Sequence, residues 1–251
     1  MIKLTLPNRP AELTDEIQQQ LTERFRSNCK DDVWNDNRIK NAIRKALRNM
    51  THNKCAYSEK ILGKMEIDHF KCKSKYQEDV VAWGNLLPSC SECNNAKRNH
   101  DVVAEPIINP LIDNPKDYLY VQAFRFYPRK GNDEIENIGR TTIDVLDINN
   151  KVYFESRRSN IGFGIAASIE QSFEILKSST SNVKRNKAIS DIKSDLVSCG
   201  PEYEYSAVLS TFVLYEYGTY EELEQYLRAN NLWDSDFDTI KHTLEEIAMP
   251  K

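Results

Sequence analysis

CAYSEKILGKMEIDHFKCKSKYQEDVVAWGNLLPSCSECNNAKRNH, residues 55–100, is the stretch that decides the fold. Four clusters stand in it: Cys55-Ala-Tyr-Ser58, Glu66-Ile-Asp68-His69-Phe70, Gly84-Asn85-Leu86-Leu87-Pro88, and Cys90-Ser-Glu-Cys93-Asn94-Asn95-Ala-Lys97. A lone histidine is more often a satisfied core side chain than a reactive one. Beside Asp68, with Asn85 and Asn94 downstream, His69 reads instead as a proton acceptor, because imidazole titrates close to neutral pH. Asp68 and the Asn94 amide are hard oxygen donors of the kind magnesium or manganese takes. Asn85 either orients the loop that carries His69 or simply forms a turn. Cys90 and Cys93 stand at the two-residue spacing that metals favour.

The chain outside this window sets the bounds. At 251 residues it is long enough for one large domain or two modest ones. Six cysteines are too few for a disulfide framework of this size, so reduced thiols and a cytoplasmic location are expected. The start, MIKLTLPNRP, lacks the apolar run of a secretion signal, and no apolar run approaches membrane-spanning length. The net charge of −4 argues weakly against a polyanionic partner, but its distribution argues the other way. From Arg38 to His100, thirteen Lys and Arg face six Asp and Glu, a net +7, which leaves −11 for the rest. Lys71, Lys73, Arg44 and Arg48 belong to this basic set; it is either a solvated face or a phosphate-contacting one. Lys97 and Arg98 fall on the first turns of a helix opened by Cys93, where they either meet phosphates or cover an exposed face.

Periodicity places the other elements. Leu13, Ile17, Leu21 and Phe25 predict a helix over 11–27 with Thr14 as N-cap. Ile39, Ala42, Ile43, Ala46, Leu47 and Met50 predict a second over 38–50. Pro106, Pro110 and Pro115 break regular structure. Tyr118–Tyr127 reads as a strand, with a partner near Glu134–Ile138 after Gly131 and Asn132. From Thr141 the patterns are helical, with breaks expected at Gly162–Gly164, Gly200–Pro201, Gly218 and Asn230–Asn231. Cys29 and Cys199 read as buried thiols. The stretch from Pro201 to the C-terminus carries eleven carboxylates against three basic side chains, net −8, and would repel a polyanion. Its aromatic residues build a core or include a patch for a protein partner.

In order and spacing the four clusters resemble the HNH (ββα-metal) endonucleases. The resemblance implies hydrolysis of nucleic-acid phosphodiesters, with His69 as general base, Asp68 and Asn94 on a single Mg2+ or Mn2+ ion, and Asn85 in support. Asn94 stands where some members carry histidine; Asn99 and His100 would supply that ligand only if the helix were shifted. Many members also bind a structural zinc through two Cys-x-x-Cys knuckles. Here the first knuckle ends in Ser58, so Cys55, Cys90 and Cys93 leave one position, either filled by Cys72 or lost together with the metal.

The flanks narrow the resemblance. Trp34-Asn35 and Ile39-Lys40, then Asn109-Pro110 and Tyr118-Leu119, are similar to the PtuB family, the HNH effectors of Septu antiphage systems and of retrons with Septu-like effectors. That implies a partner ATPase resembling PtuA and a role in phage defence, with DNA the favoured substrate and RNA the other choice. The fold expected is α+β: a helical lead-in over 1–54, a treble-clef-like HNH core over 55–105, a linker and short β element over 106–160, and an acidic helical partner-docking region over 161–251. Two other readings stand beside it, a non-catalytic zinc-knuckle module that binds nucleic acid and an adaptor for the partner.

Overall fold

The computed structural model describes residues 1–29, 33 and 37–251. The Trp34-Asn35 step lies outside the described residues. Two compact units emerge. One comprises Met1, 3–118 and 128–148, and the other Ile2, 119–127 and 149–251. The described residues combine helices with two small two-stranded sheets, an α+β composition.

In the first unit, α1 (Asp15–Ser27) starts at Thr14, whose hydroxyl accepts from the Ile17 amide at 3.3 Å, and it buries Leu21 and Phe25. In α2 (Asn37–Met50) the stripe Ile39, Ile43, Leu47 is buried at a spacing of four, as helical periodicity requires. Two short strands follow, β1 (Glu66–His69) and β2 (Leu86–Ser89), paired antiparallel with Asp68 opposite Leu87 and His69 opposite Leu86. The chain turns directly into α3 (Ser91–Lys97). Residues 54–61 close a tight loop bridged by Lys54 and Ile61, and the Ala56 amide donates to the Pro88 carbonyl at 2.8 Å, fixing this loop against β2.

The stretch read as one strand is a hairpin, β3 (Leu119–Gln122) and β4 (Arg125–Pro128). Its two-residue turn has Ala123 and Phe124 at φ of 49° and 63°, the left-handed pair that matches the twist of a hairpin. Glu134–Ile138 is not a strand: it lies in α4 (Asp133–Leu146), because Asn132 caps a helix, its side chain accepting from the Ile135 amide at 2.8 Å.

The second unit is mainly helical: α5 (Ser156–Ser178), α6 (Asn182–Val197), α7 (Ser206–Thr211), α8 (Thr219–Ala229) and α9 (Ser235–Ile247). The expected break at Gly162–Gly164 does not occur, and α5 runs through both glycines. Gly162 is there for closeness, since a Cβ on it would overlap the Phe124 ring. Cys199 is buried as expected, but Cys29 is exposed and accepts from the Gln77 amide at 3.2 Å. No helix among the described residues is long and apolar enough to cross a membrane.

Candidate active site

Helix α3 lies along β1 through polar contacts from two of its side chains. Residues two apart on a strand share a face, and residues three apart on a helix do the same. Glu66 and Asp68 of β1 therefore meet Asn94 and Lys97 of α3 in order. The Asn94 amide donates to Glu66 Oε2 at 2.5 Å, and Lys97 Nζ donates to Asp68 Oδ1 at 3.1 Å and to the His69 carbonyl at 2.7 Å.

Asp68 is only 4% exposed, and its other oxygen accepts from the Tyr57 hydroxyl at 2.5 Å. Burial, and then the neighbouring Asp68 carboxylate, hold the Tyr57 phenol well above its ordinary pKa, so it stays a donor. Lys97 is not on the exposed face expected for a phosphate contact, because its side chain is removed from solvent and serves as the countercharge of Asp68.

His69 ends β1 with Nε2 2.9 Å from the Val80 carbonyl. A carbonyl only accepts, so Nε2 carries the proton and Nδ1 is the unprotonated nitrogen of the neutral ring. Burial lowers the pKa to about 4, opposed by Asp68 and reinforced by Lys73 and Lys97, which keeps the ring neutral at pH 7. Asn85, buried just before β2, clamps the intervening loop. Its carbonyl accepts from the Lys71 amide at 2.7 Å, while its NH2 donates to the Lys71 and Asp79 carbonyls at 3.1 and 2.9 Å. It thereby fixes the backbone next to Val80, and so the carbonyl that orients His69.

Asp68, His69 and Asn94 line one open, predominantly polar pocket of about 320 Å³, together with Cys72, Lys73 and Arg98. Asn99 also lines it, whereas the His100 ring is turned onto the Glu105 carbonyl at 2.7 Å. Lys73 and Arg98 are exposed at its rim. Lys71 is held by Asp79 at 2.9 Å. Arg44 and Arg48 brace the chain leading into β1, through the Met65 carbonyl and through Asn53 and the Leu62 carbonyl.

A second constellation is formed by three cysteines. The Sγ atoms of Cys55, Cys90 and Cys93, all buried, are within 4.8 Å of one another. Zinc–sulfur bonds of about 2.3 Å at tetrahedral angles would set the sulfurs roughly 3.8 Å apart, so this spacing fits a metal ion. The Ser58 hydroxyl lies 3.6 Å from Cys90 Sγ, beside the group, whereas Cys72 is not in the group and instead accepts from the Ser74 hydroxyl at 3.6 Å. Burial pushes the Cys55 thiol up, but hydrogen bonds from Cys90, Cys93 and Ser58 together bring it well below its ordinary value. Its hydrogen bond to Cys55 is the leading cause that raises Cys90 to about 12.

Sequence reading gave Tyr57 and Glu66 no role. The spacing Glu66-x-Asp68 against Asn94-x-x-Lys97 is the signal that would have placed Glu66 opposite Asn94 and Lys97 opposite Asp68. Tyr57 carries no comparable signal, because its contact depends on how the 54–61 loop folds onto β2.

Among curated proteins the chain is similar to the Septu protein PtuB of Bacillus thuringiensis, 33% identical over 254 residues that span 98% of this chain and 94% of the relative. No protein-family model matches.

Proposed function

The chain belongs to the PtuB family of Septu proteins, and from that premise we propose that it is a metal-dependent HNH endonuclease, the effector of an antiphage defence system of Septu or retron type. The observation that carries the reading is the shared pocket of Asp68, His69 and Asn94, with His69 neutral and its ring turned by the Val80 carbonyl. The strand–strand–helix order of β1, β2 and α3 supports a ββα-metal core, and the hard oxygen donors Asp68 and Asn94 fit a Mg2+ or Mn2+ ion.

In this mechanism His69 Nδ1 takes a proton from water, the water oxygen bonds to the phosphorus of a nucleic-acid phosphodiester, and the P–O bond to the leaving sugar oxygen breaks, that oxygen taking a proton from solvent. An ion held by Asp68 and Asn94 would supply Lewis acidity toward the phosphate and charge stabilisation for the departing oxygen. Asn85 keeps the imidazole in place by fixing the loop beside Val80. Lys73 and Arg98 at the rim meet the phosphate backbone, with Lys71, Arg44 and Arg48 completing the basic field over residues 38–100. Lys97 acts from inside, holding α3 to Asp68. Cys55, Cys90 and Cys93, with Ser58 or water in the fourth position, hold a structural zinc that fixes the 54–61 loop on β2.

DNA is the favoured substrate. The acidic helical region over 161–251 docks a partner ATPase resembling PtuA, with residues 106–160 joining it to the nuclease core over 55–105. The test is cleavage of plasmid DNA and of RNA by wild type and His69→Ala, in Mg2+, Mn2+ or EDTA, with and without the ATPase. Metal-dependent cleavage by wild type alone is expected. Equal cleavage by both proteins overturns the role of His69, and binding without cleavage by both supports a non-catalytic zinc-knuckle module.

A further inference from the structure

The two oxygen donors of the pocket are each gripped by a residue that the hydrolytic reading leaves idle. Tyr57, itself without solvent exposure, donates its only hydroxyl proton to Asp68 Oδ2 at 2.5 Å. With Lys97 on Oδ1, the carboxylate plane is pinned from both sides, and only its remaining lone-pair directions are open to a cation. Asn94 is held differently. Its partner, Glu66 Oε2 at 2.5 Å, is a carboxylate oxygen that accepts, so the end of Asn94 that meets it is the NH2. The amide is thereby prevented from flipping, and its carbonyl oxygen, the end able to ligate a metal, points away from Glu66.

We propose that Tyr57 and Glu66 are positioning residues for a divalent cation at Asp68 and Asn94: Tyr57 sets the rotation of the carboxylate, and Glu66 sets which end of the amide faces the pocket. The inference rests on the reading that Asp68 and Asn94 hold that cation. Partners of this kind, one bond removed from the ligands, typically carry 10- to 100-fold of metal affinity. The two come from different parts of the chain, Tyr57 from the loop between Cys55 and Ser58 and Glu66 from β1 itself. The ligand geometry therefore depends on both the cysteine-bearing loop and the strand.

The experiment is Mn2+ titration of the full chain by electron paramagnetic resonance, with circular dichroism to verify folding. Tyr57→Phe and Glu66→Leu are each expected to bind Mn2+ about 10- to 100-fold more weakly than wild type. Glu66→Gln, whose side-chain carbonyl still accepts from Asn94, is expected to restore binding close to wild type. If Glu66→Gln binds as weakly as Glu66→Leu, the carboxylate acts through its charge, and the positioning role is overturned. If Tyr57→Phe and Glu66→Leu both bind like wild type while Asp68→Asn has lost Mn2+, the proposal fails and the cation reading stands. If Asp68→Asn binds as well as wild type, the cation reading itself fails. Should Tyr57→Phe not fold, the Glu66 pair, at a half-buried side chain, decides the outcome.

Discussion

Lys97 Nζ and Asp68 Oδ1 form an ion pair at 3.1 Å with both side chains almost entirely out of solvent. Isolated charges at such depth are costly, and a pair is tolerated because each partner neutralises the other. The pair fastens α3 onto β1 beside His69. It also supplies a positive charge next to a metal-type carboxylate, so Asp68 is neutralised from within the fold before any cation arrives.

Lys97→Met is expected to destabilise the metal-free protein by roughly 3–5 kcal/mol, the range for stranding one partner of a buried pair. Asp68→Asn combined with Lys97→Met should recover part of that loss, because the stranded charge is gone. Urea denaturation in EDTA of wild type, both single variants and the double variant measures the coupling. A double variant whose loss equals the sum of the singles would show that the two charges do not depend on each other.

The buried His69 makes stability fall with acid. Its folded pKa, near 4, is depressed from an ordinary value of about 6.5 because burial disfavours the charged ring. The fold therefore prefers the deprotonated form. The contribution is complete above pH 6.5 and is lost as pH falls from there toward 4, while the unfolded chain takes up the proton first. Between pH 7.5 and pH 5 the loss should be on the order of 2 kcal/mol. Denaturation of metal-free wild type and His69→Gln at the two pH values isolates it, since the glutamine variant has no ring to protonate. An equal loss in both proteins would assign the pH dependence to other groups.

Much of this arrangement is visible in the residues, and what is hidden has physical causes. Thr14 and the Ile39, Ile43, Leu47 stripe are local signals, and they placed α1 and α2. The hairpin of β3 and β4 was read as one strand because Ala123 and Phe124 occupy left-handed conformations without being glycine, asparagine or aspartate. Glu134–Ile138 was read as its partner because Asn132 serves equally well in a turn or at a helix N-cap, and only the bond from the Ile135 amide separates the two. The pocket residues Asp68, His69 and Asn94 were legible as a motif. The burial of Lys97 was not, since a lysine on a short helix reads as surface until the strand carrying Asp68 is laid beside it.

Gly162 offers a test of tertiary packing overriding local preference. Glycine disfavours a helix interior by about 1 kcal/mol relative to alanine. Yet at this position the missing Cβ is the space occupied by the Phe124 ring, which also packs at a tilt on Phe212 at a centroid distance of 4.5 Å. Gly162→Ala should therefore destabilise by roughly 1–3 kcal/mol, the cost of overpacking, despite its better helix propensity. Adding Phe124→Leu should make the alanine less harmful than it is alone. A thermal melt in which Gly162→Ala is more stable than wild type would mean that the ring moves aside freely.

The fourth corner of the cysteine group gives the sharpest chemical test. Three thiol sulfurs and one hydroxyl form a weaker zinc site than four thiolates, because serine is a hard, poorly acidic donor and zinc favours sulfur and nitrogen. Ser58, 3.6 Å from Cys90 Sγ, is the residue at which a fourth thiolate can be introduced beside the group. Ser58→Cys should therefore keep the fold and raise zinc affinity by at least about 10-fold, one unit of 1.4 kcal/mol. Cys90→Ser, leaving two thiolates, should lower it and destabilise the 54–61 loop. Elemental analysis of the purified proteins, followed by chelator competition monitored with a zinc-sensitive dye, measures both effects. About one zinc per chain in wild type, released more slowly from Ser58→Cys, is the expected outcome. Zinc in neither protein would mean that Cys55, Cys90 and Cys93 hold the loop by packing and hydrogen bonds alone.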